Sequence, residues 1–151
     1  MKSIISILGL FLLAVTAQAQ VDQPKEITTS QNFGDYTLHY NVFHSTDIPA
    51  KVAEAYKLVR GKDRALLNIS LTKTENGQTS LGLPVKVVGK TKNLMQQSQN
   101  LTFIEIKEGE ATYYLAPFVF NNEELLHFDV QVTEGESKPL AITFNRTLYT
   151  E

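Results

Sequence analysis

The stretch Leu126-His127-Phe128-Asp129-Val130-Gln131-Val132 sets apolar against polar residues at a strict period of two. Successive side chains of a strand point to opposite faces, so Leu126, Phe128, Val130 and Val132 belong to a core and His127, Asp129 and Gln131 to water. The pattern recurs on both sides. Upstream, Tyr36, Leu38, Tyr40 and Val42 alternate with Thr37, His39 and Asn41, and Ala65, Leu67, Ile69 and Leu71 alternate with Leu66, Asn68, Ser70 and Thr72. Further strands are expected at Leu83 to about Lys92, Leu101 to Lys107 and Thr112 to Val119. Downstream, Leu140, Ile142, Phe144 and Leu148 repeat the alternation after Gly135. Turn residues punctuate the series at Asn76-Gly77, Gly109 and Asn121-Asn122, with Asn76-Gly77 the strongest short hairpin signal. Asn93 to Asn100 reads as a polar connection.

About seven strands at this spacing predict a mainly β domain, an antiparallel sandwich of immunoglobulin-like type, with a small open barrel as the alternative. The cysteine pair and tryptophan of an antibody domain are absent, since the chain contains neither residue type. One feature pulls against the immunoglobulin topology: an Asn76-Gly77 hairpin would make neighbours of two strands which that topology puts in different sheets. A single short helix follows the first strand. Ser45-Thr46-Asp47 supplies capping side chains, Pro49 suits a first helical turn, and Val52, Ala53 and Tyr56 fall at helical spacing, so Pro49 to about Leu58 is read as helix.

The chain has 151 residues, enough for one domain with a sizeable core. Its first segment has another purpose. Lys2, an apolar run from Ile4 to Val15 and the small-x-small triplet Ala17-Gln18-Ala19 have the three-part form of a secretory signal peptide, residues 1–19. No later run is long enough to cross a bilayer as a helix, so no transmembrane segment is expected in the mature chain, and the protein is expected in the periplasm or outside the cell. Residues 20–31 are polar and aperiodic and read as a flexible leader, leaving 32–151 as the domain. Without residues 1–19 the balance is 13 basic against 16 acidic side chains, a net −3. Nucleic acid is an improbable partner for such a charge, because phosphate neutralisation needs excess Lys and Arg.

Four segments carry a family likeness: Phe33-Gly34-Asp35-Tyr36-Thr37-Leu38-His39-Tyr40-Asn41, Arg64-Ala65-Leu66-Leu67-Asn68-Ile69-Ser70, Tyr113-Tyr114-Leu115-Ala116 and Phe128-Asp129-Val130-Gln131-Val132. In this order they resemble the small exported bacterial proteins of domain of unknown function family 4426. The resemblance runs from about Asn32 to Tyr149. It implies a single secreted or periplasmic β-domain and supplies no activity, cofactor or catalytic residue.

The residues themselves allow little chemistry. There is no nucleophile elbow, no helical metal-binding histidine pair and no phosphate-cradling glycine loop, so neither catalysis nor a cofactor is expected. A noncatalytic binding or accessory module is the leading reading. Its partner would be an envelope protein, a polymer or an anionic surface. Lys57, Arg60, Lys62 and Arg64 lie within eight residues at the end of the helix and the start of the next strand. Such a run either solvates a connection or docks an acidic partner. The alternative is a small metal-binding protein or enzyme using the surface histidines: if their strands pair, His39, His127 and Asp129 could hold copper or zinc. Cleavage after Ala19 gives a first check. The exported protein should begin at Gln20, and an intact mass in the exported fraction that still contains residues 1–19 would overturn this reading.

Overall fold

Period-two alternation is realised as ten strands in residues 29–151, the part of the chain described by the computed structural model. Residues 1–28, with the signal pattern and most of the leader, lie outside the described residues. In chain order the elements are β1 (Ser30–Phe33), β2 (Tyr36–His44), a 3-10 turn (Ser45–Asp47), α1 (Ala50–Ala55), β3 (Arg64–Glu75) and β4 (Gln78–Thr79). There follow β5 (Lys86–Asn93), β6 (Ser98–Leu101), β7 (Ile104–Glu108), β8 (Ala111–Val119), β9 (Glu124–Thr133) and β10 (Leu140–Leu148). All strand pairs are antiparallel.

Two sheets form. One has the order β1-β2-β3-β8-β7 with β4 appended to β3, and the other has the order β10-β9-β5-β6. With β1 and β4 set aside, the order is A-B-E-D opposite G-F-C-C′ in immunoglobulin lettering. The protein is therefore an immunoglobulin-like sandwich, and its two ladders do not close into the alternative barrel. Asn76 and Gly77 both take positive φ, 51° and 75°, as a type I′ hairpin requires, but the returning strand β4 is only two residues long. β3 and β5 consequently stay in different sheets, which removes the conflict between hairpin and topology.

Beyond Ile69↔Tyr114 the β3–β8 pairing stops. The segment after β4 fills the gap: Leu83 N–H donates to Leu71 O at 2.8 Å, and Thr112 N–H donates to Gly82 O at 3.0 Å. Gly82 is pressed so closely to Thr112 that an added Cβ would overlap the Thr112 carbonyl. Elsewhere the sequence reading needs amendment. Ser30 and Gln31, assigned to the leader, pair with His39 and Leu38 in β1, and Thr29 O accepts from Tyr40 N–H at 2.9 Å. The expected strand Leu101 to Lys107 is two strands, because the chain crosses between sheets at Thr102 and Phe103.

The main core lies between the sheets and includes Leu38, Leu67, Ile69, Phe128, Val130 and Val132, each at most 1% exposed. A second cluster was not legible as core. On the outer face of the first sheet, Leu66, Ile106 and Leu115 are covered by Ile48, Ala53 and Leu58 from the α1 segment. Leu66 alternates with core residues yet is buried too, because α1 supplies a second apolar layer. The helix is shorter than expected, and Ser45 does not cap it. Instead, Gly61 N–H donates to Ser45 Oγ at 2.9 Å and Ser45 Oγ–H donates to Gly61 O at 3.1 Å, tying off the whole excursion. The helix ends in a Schellman motif, with Leu58 N–H on Ala53 O at 2.7 Å, Lys57 N–H on Glu54 O at 3.2 Å and Lys57 at φ 56°.

The Gly82 contact is testable. Gly82→Ala should destabilise the protein by about 1–3 kcal/mol, the usual cost of overpacking. A melting temperature equal to that of the parent would show that the Thr112 strand yields without strain.

Candidate functional site

Antiparallel register gives the sandwich two unlike ends. Tight turns at Gly34, Gly77, Gly109 and Gly135, all with positive φ, gather at one end. The other end carries residues 45–63, the β5–β6 turn 94–97, the β8–β9 turn 120–123 and the last residues after β10. Large exposed apolar side chains are concentrated there: Val59 (61%), Leu94 (76%), Met95 (72%), Val119 (44%) and Tyr149 (58%). Loops on a rigid scaffold are where binding residues collect, and a cluster of exposed apolar groups marks an interaction surface.

The β5–β6 turn is held stiffly. Asn93 N–H donates to Gln97 O at 3.1 Å, Asn93 Nδ2 to Gln97 Oε1 at 2.7 Å, and Gln97 N–H to Asn93 Oδ1 at 2.9 Å. Leu94 and Met95 are thus presented on a braced tip. Next to it, Gln99 reaches across from β6 and makes two bonds with Val119 of the opposite sheet, Nε2 to O at 3.2 Å and N–H to Oε1 at 3.0 Å. Its amide acts as a strand residue would at an edge that β7 leaves uncovered beyond Leu115. Glu124 ties the β8–β9 turn to β5: its carboxylate accepts from Asn121 N–H at 2.8 Å, Asn121 Nδ2 at 3.3 Å and Asn93 Nδ2 at 3.0 Å. Burial alone would raise the Glu124 carboxyl, but these N–H groups outweigh it and hold the group below its ordinary carboxylate value.

Between these elements a cleft of about 340 Å³ is lined by Asp63, Thr91, Gln97, Phe120, Asn121 and Glu124, among others. Two further hollows adjoin it. One, of about 200 Å³, is lined by Lys57, Val59, Arg64, Pro117 and Val119. The other, of about 390 Å³, is lined by Lys92, Leu94, Leu125, His127 and Asn145.

The sequence-selected residues are divided by the fold. Lys57 and Arg64 flank the same hollow, Arg60 turns back to donate from Nη2 to Thr46 O at 3.0 Å, and Lys62 makes no ion pair among the described residues. His39 lies on β2, while His127 and Asp129 lie on β9 in the other sheet, so the condition for a shared metal site is not met. His39 Nε2 is 3.0 Å from Thr72 Oγ1, and His127 Nδ1 is 2.7 Å from Asn145 Oδ1. His44 packs its ring edge-on to Phe120, with centroids 5.7 Å apart. Among the described residues no three His, Asp or Glu side chains converge as a metal site. Leu94, Met95 and Gln99 escaped the sequence reading; an apolar pair inside an otherwise polar connection was the one signal available.

Fold and topology define an immunoglobulin-like β-sandwich. The chain belongs to the family described as Domain of unknown function (DUF4426), whose model matches residues 30–151. A crystal structure of a family member from Pseudomonas aeruginosa PAO1 is 31% identical, covers 81% of this chain and 94% of that one, and superposes with a TM-score of 0.70. The sandwich is also similar to FetP of uropathogenic Escherichia coli strain F11, at 10% identity over 81% of this chain. The protein as isolated after recombinant expression in the E. coli periplasm gives a TM-score of 0.59 over 93% of its own chain. A copper-bound FetP variant gives 0.60 over 95%. No curated protein is significantly similar to the chain.

The bonds to Glu124 predict an acid response. A depressed folded-state pKa contributes stability above the unfolded value, and that contribution is lost as pH falls through the folded value. Glu124→Gln should therefore melt below the parent at neutral pH, with the gap narrowing in acid. Thermal melts showing a gap independent of pH would contradict a role for the charge.

Proposed function

We propose that the protein is an exported, noncatalytic binding or accessory module that engages a cell-envelope protein through the loop-bearing end of its sandwich. The observation that carries this reading is the placement of Val59, Leu94, Met95, Val119 and Tyr149 at one end, beside the cations Lys57 and Arg64. Exposed apolar groups supply affinity on burial, and flanking positive charge steers an acidic partner and weakens with salt. Export is supported by the N-terminal signal pattern and agrees with the absence, among the described residues, of any helix long and apolar enough to span a membrane.

Crosslinked capture from the native envelope, repeated with variants, tests the assignment. Leu94→Ser with Met95→Ser should lose a partner that the parent and the sheet-face control Val88→Ser both retain. Changing Lys57, Arg60 and Lys62 to Glu should slow association, most visibly at low ionic strength. Unchanged capture by both variants would remove the loop end from consideration.

A second reading, metal binding, is favoured by the likeness to copper-bound FetP. It would have to work through histidines that sit in separate sheets. Stoichiometric copper in protein purified without an affinity tag, abolished by His127→Ala, would support it, and metal-free protein would refute it.

A further inference from the structure

Thr91 faces the interior from β5, is 1% exposed, and its hydroxyl has no hydrogen-bond partner. A buried polar group left unpaired costs about 1–3 kcal/mol, which makes such a hydroxyl uncommon unless something else bonds to it. Thr91 lines the cleft of about 340 Å³ described above, at the lower end of the volumes typical of small-molecule sites. Phe120 and Leu126 give the cleft apolar walls, while Asp63, Gln97, Asn121 and Glu124 give it a polar rim.

The unused hydrogen-bonding capacity of that rim is specific. Gln97 spends its amide oxygen on Asn93 but donates from Nε2 to nothing among the described residues. Asn121 uses its amide nitrogen on Glu124 and keeps its oxygen free. Glu124 is compensated by N–H groups alone, and the nearest cation to Asp63 is Arg64, with Nε at 3.9 Å and outside the lining. The cleft thus contains two carboxylates and no Lys, Arg or His. An anion would enter against both charges, whereas a ligand with hydroxyls and a protonated amine would find acceptors for its N–H and O–H groups and donors for its oxygens.

From the orphaned hydroxyl and a lining that holds two carboxylates and no cation we infer that this cleft is a binding site for a hydroxylated ligand of monosaccharide size carrying a protonated amine. The site lies at the same end as the macromolecular docking proposed above and shares Val119 with it, but it takes a different class of ligand and its test involves no protein partner. Thr91 bonds a ligand oxygen at the floor, Gln97 and Asn121 orient the hydroxyls, and Asp63 faces the ammonium group.

Titration of the purified protein with D-glucosamine, D-glucose and D-glucuronate, followed by amide NMR shifts, tests this directly. Glucosamine should perturb the amides of Thr91, Gln97 and Asn121 most strongly, glucose less, and glucuronate not at all. Thr91→Val keeps the shape and removes the hydroxyl. It should weaken glucosamine binding about five- to tenfold while leaving the melting temperature unchanged or raised, since the orphan is gone. Asp63→Asn should erase the preference for glucosamine over glucose. No shift at these amides with any of the three, glucose or glucuronate binding as well as glucosamine, or undiminished binding by Thr91→Val would each overturn the assignment.

Discussion

A stack of four aromatic rings joins the two sheets. Tyr40 of β2 lies on Phe144 of β10 at 4.5 Å, Phe144 lies on Phe128 of β9 at 4.8 Å with rings 5° from parallel, and Phe118 of β8 meets Phe128 edge-on at 5.3 Å. Antibody domains join their sheets with a disulfide packed on tryptophan, and this chain has neither residue type. The rings take over that task by burial and by offset and edge contacts, each pair adding about 0.5–1.5 kcal/mol beyond the area it hides. Because successive rings come from alternate sheets at both ends of the stack, the sheets cannot slide along one another without separating them.

With the sheets fixed, the rest of the design concerns edges and ends. β8 would present an open edge beyond Leu115, and two devices close it: Pro117 has no N–H to offer, and the Gln99 amide occupies Val119. The same Gln99 contact bounds the polar cleft, so protection of the edge and construction of a recess are one arrangement. At the opposite end short glycine turns leave little to bind with. Longer connections, an unusually placed helix and exposed Leu94 and Met95 make the loop end the surface with chemistry to offer. The outer apolar layer under α1 serves this end as well. Burial, helped by the Glu108 and Tyr56 side chains, pushes the Tyr113 hydroxyl beside that layer up to about 12. The layer in turn anchors residues 45–63.

Alternation along β2, β3, β9 and β10 was enough to establish strands, core phase and sandwich class, because the period of two is a local property of the chain. The turn at Asn76-Gly77 was equally legible, since positive φ at both positions selects those residues. The basic segment was visible too, but only as composition: the fold sends Lys57 and Arg64 to one hollow and turns Arg60 back to Thr46. What escaped reading was nonlocal. β6 hides in a polar stretch because its role depends on Gln99 meeting Val119, 20 positions away. Leu66 looked exposed because the helix covering it lies on another part of the chain. The two histidine-bearing strands could have paired on sequence grounds, and sheet assignment alone separated them. Local periodicity thus determined what each segment is, while the choice of neighbours, made by the burial of distant side chains against one another, decided which residues share a surface.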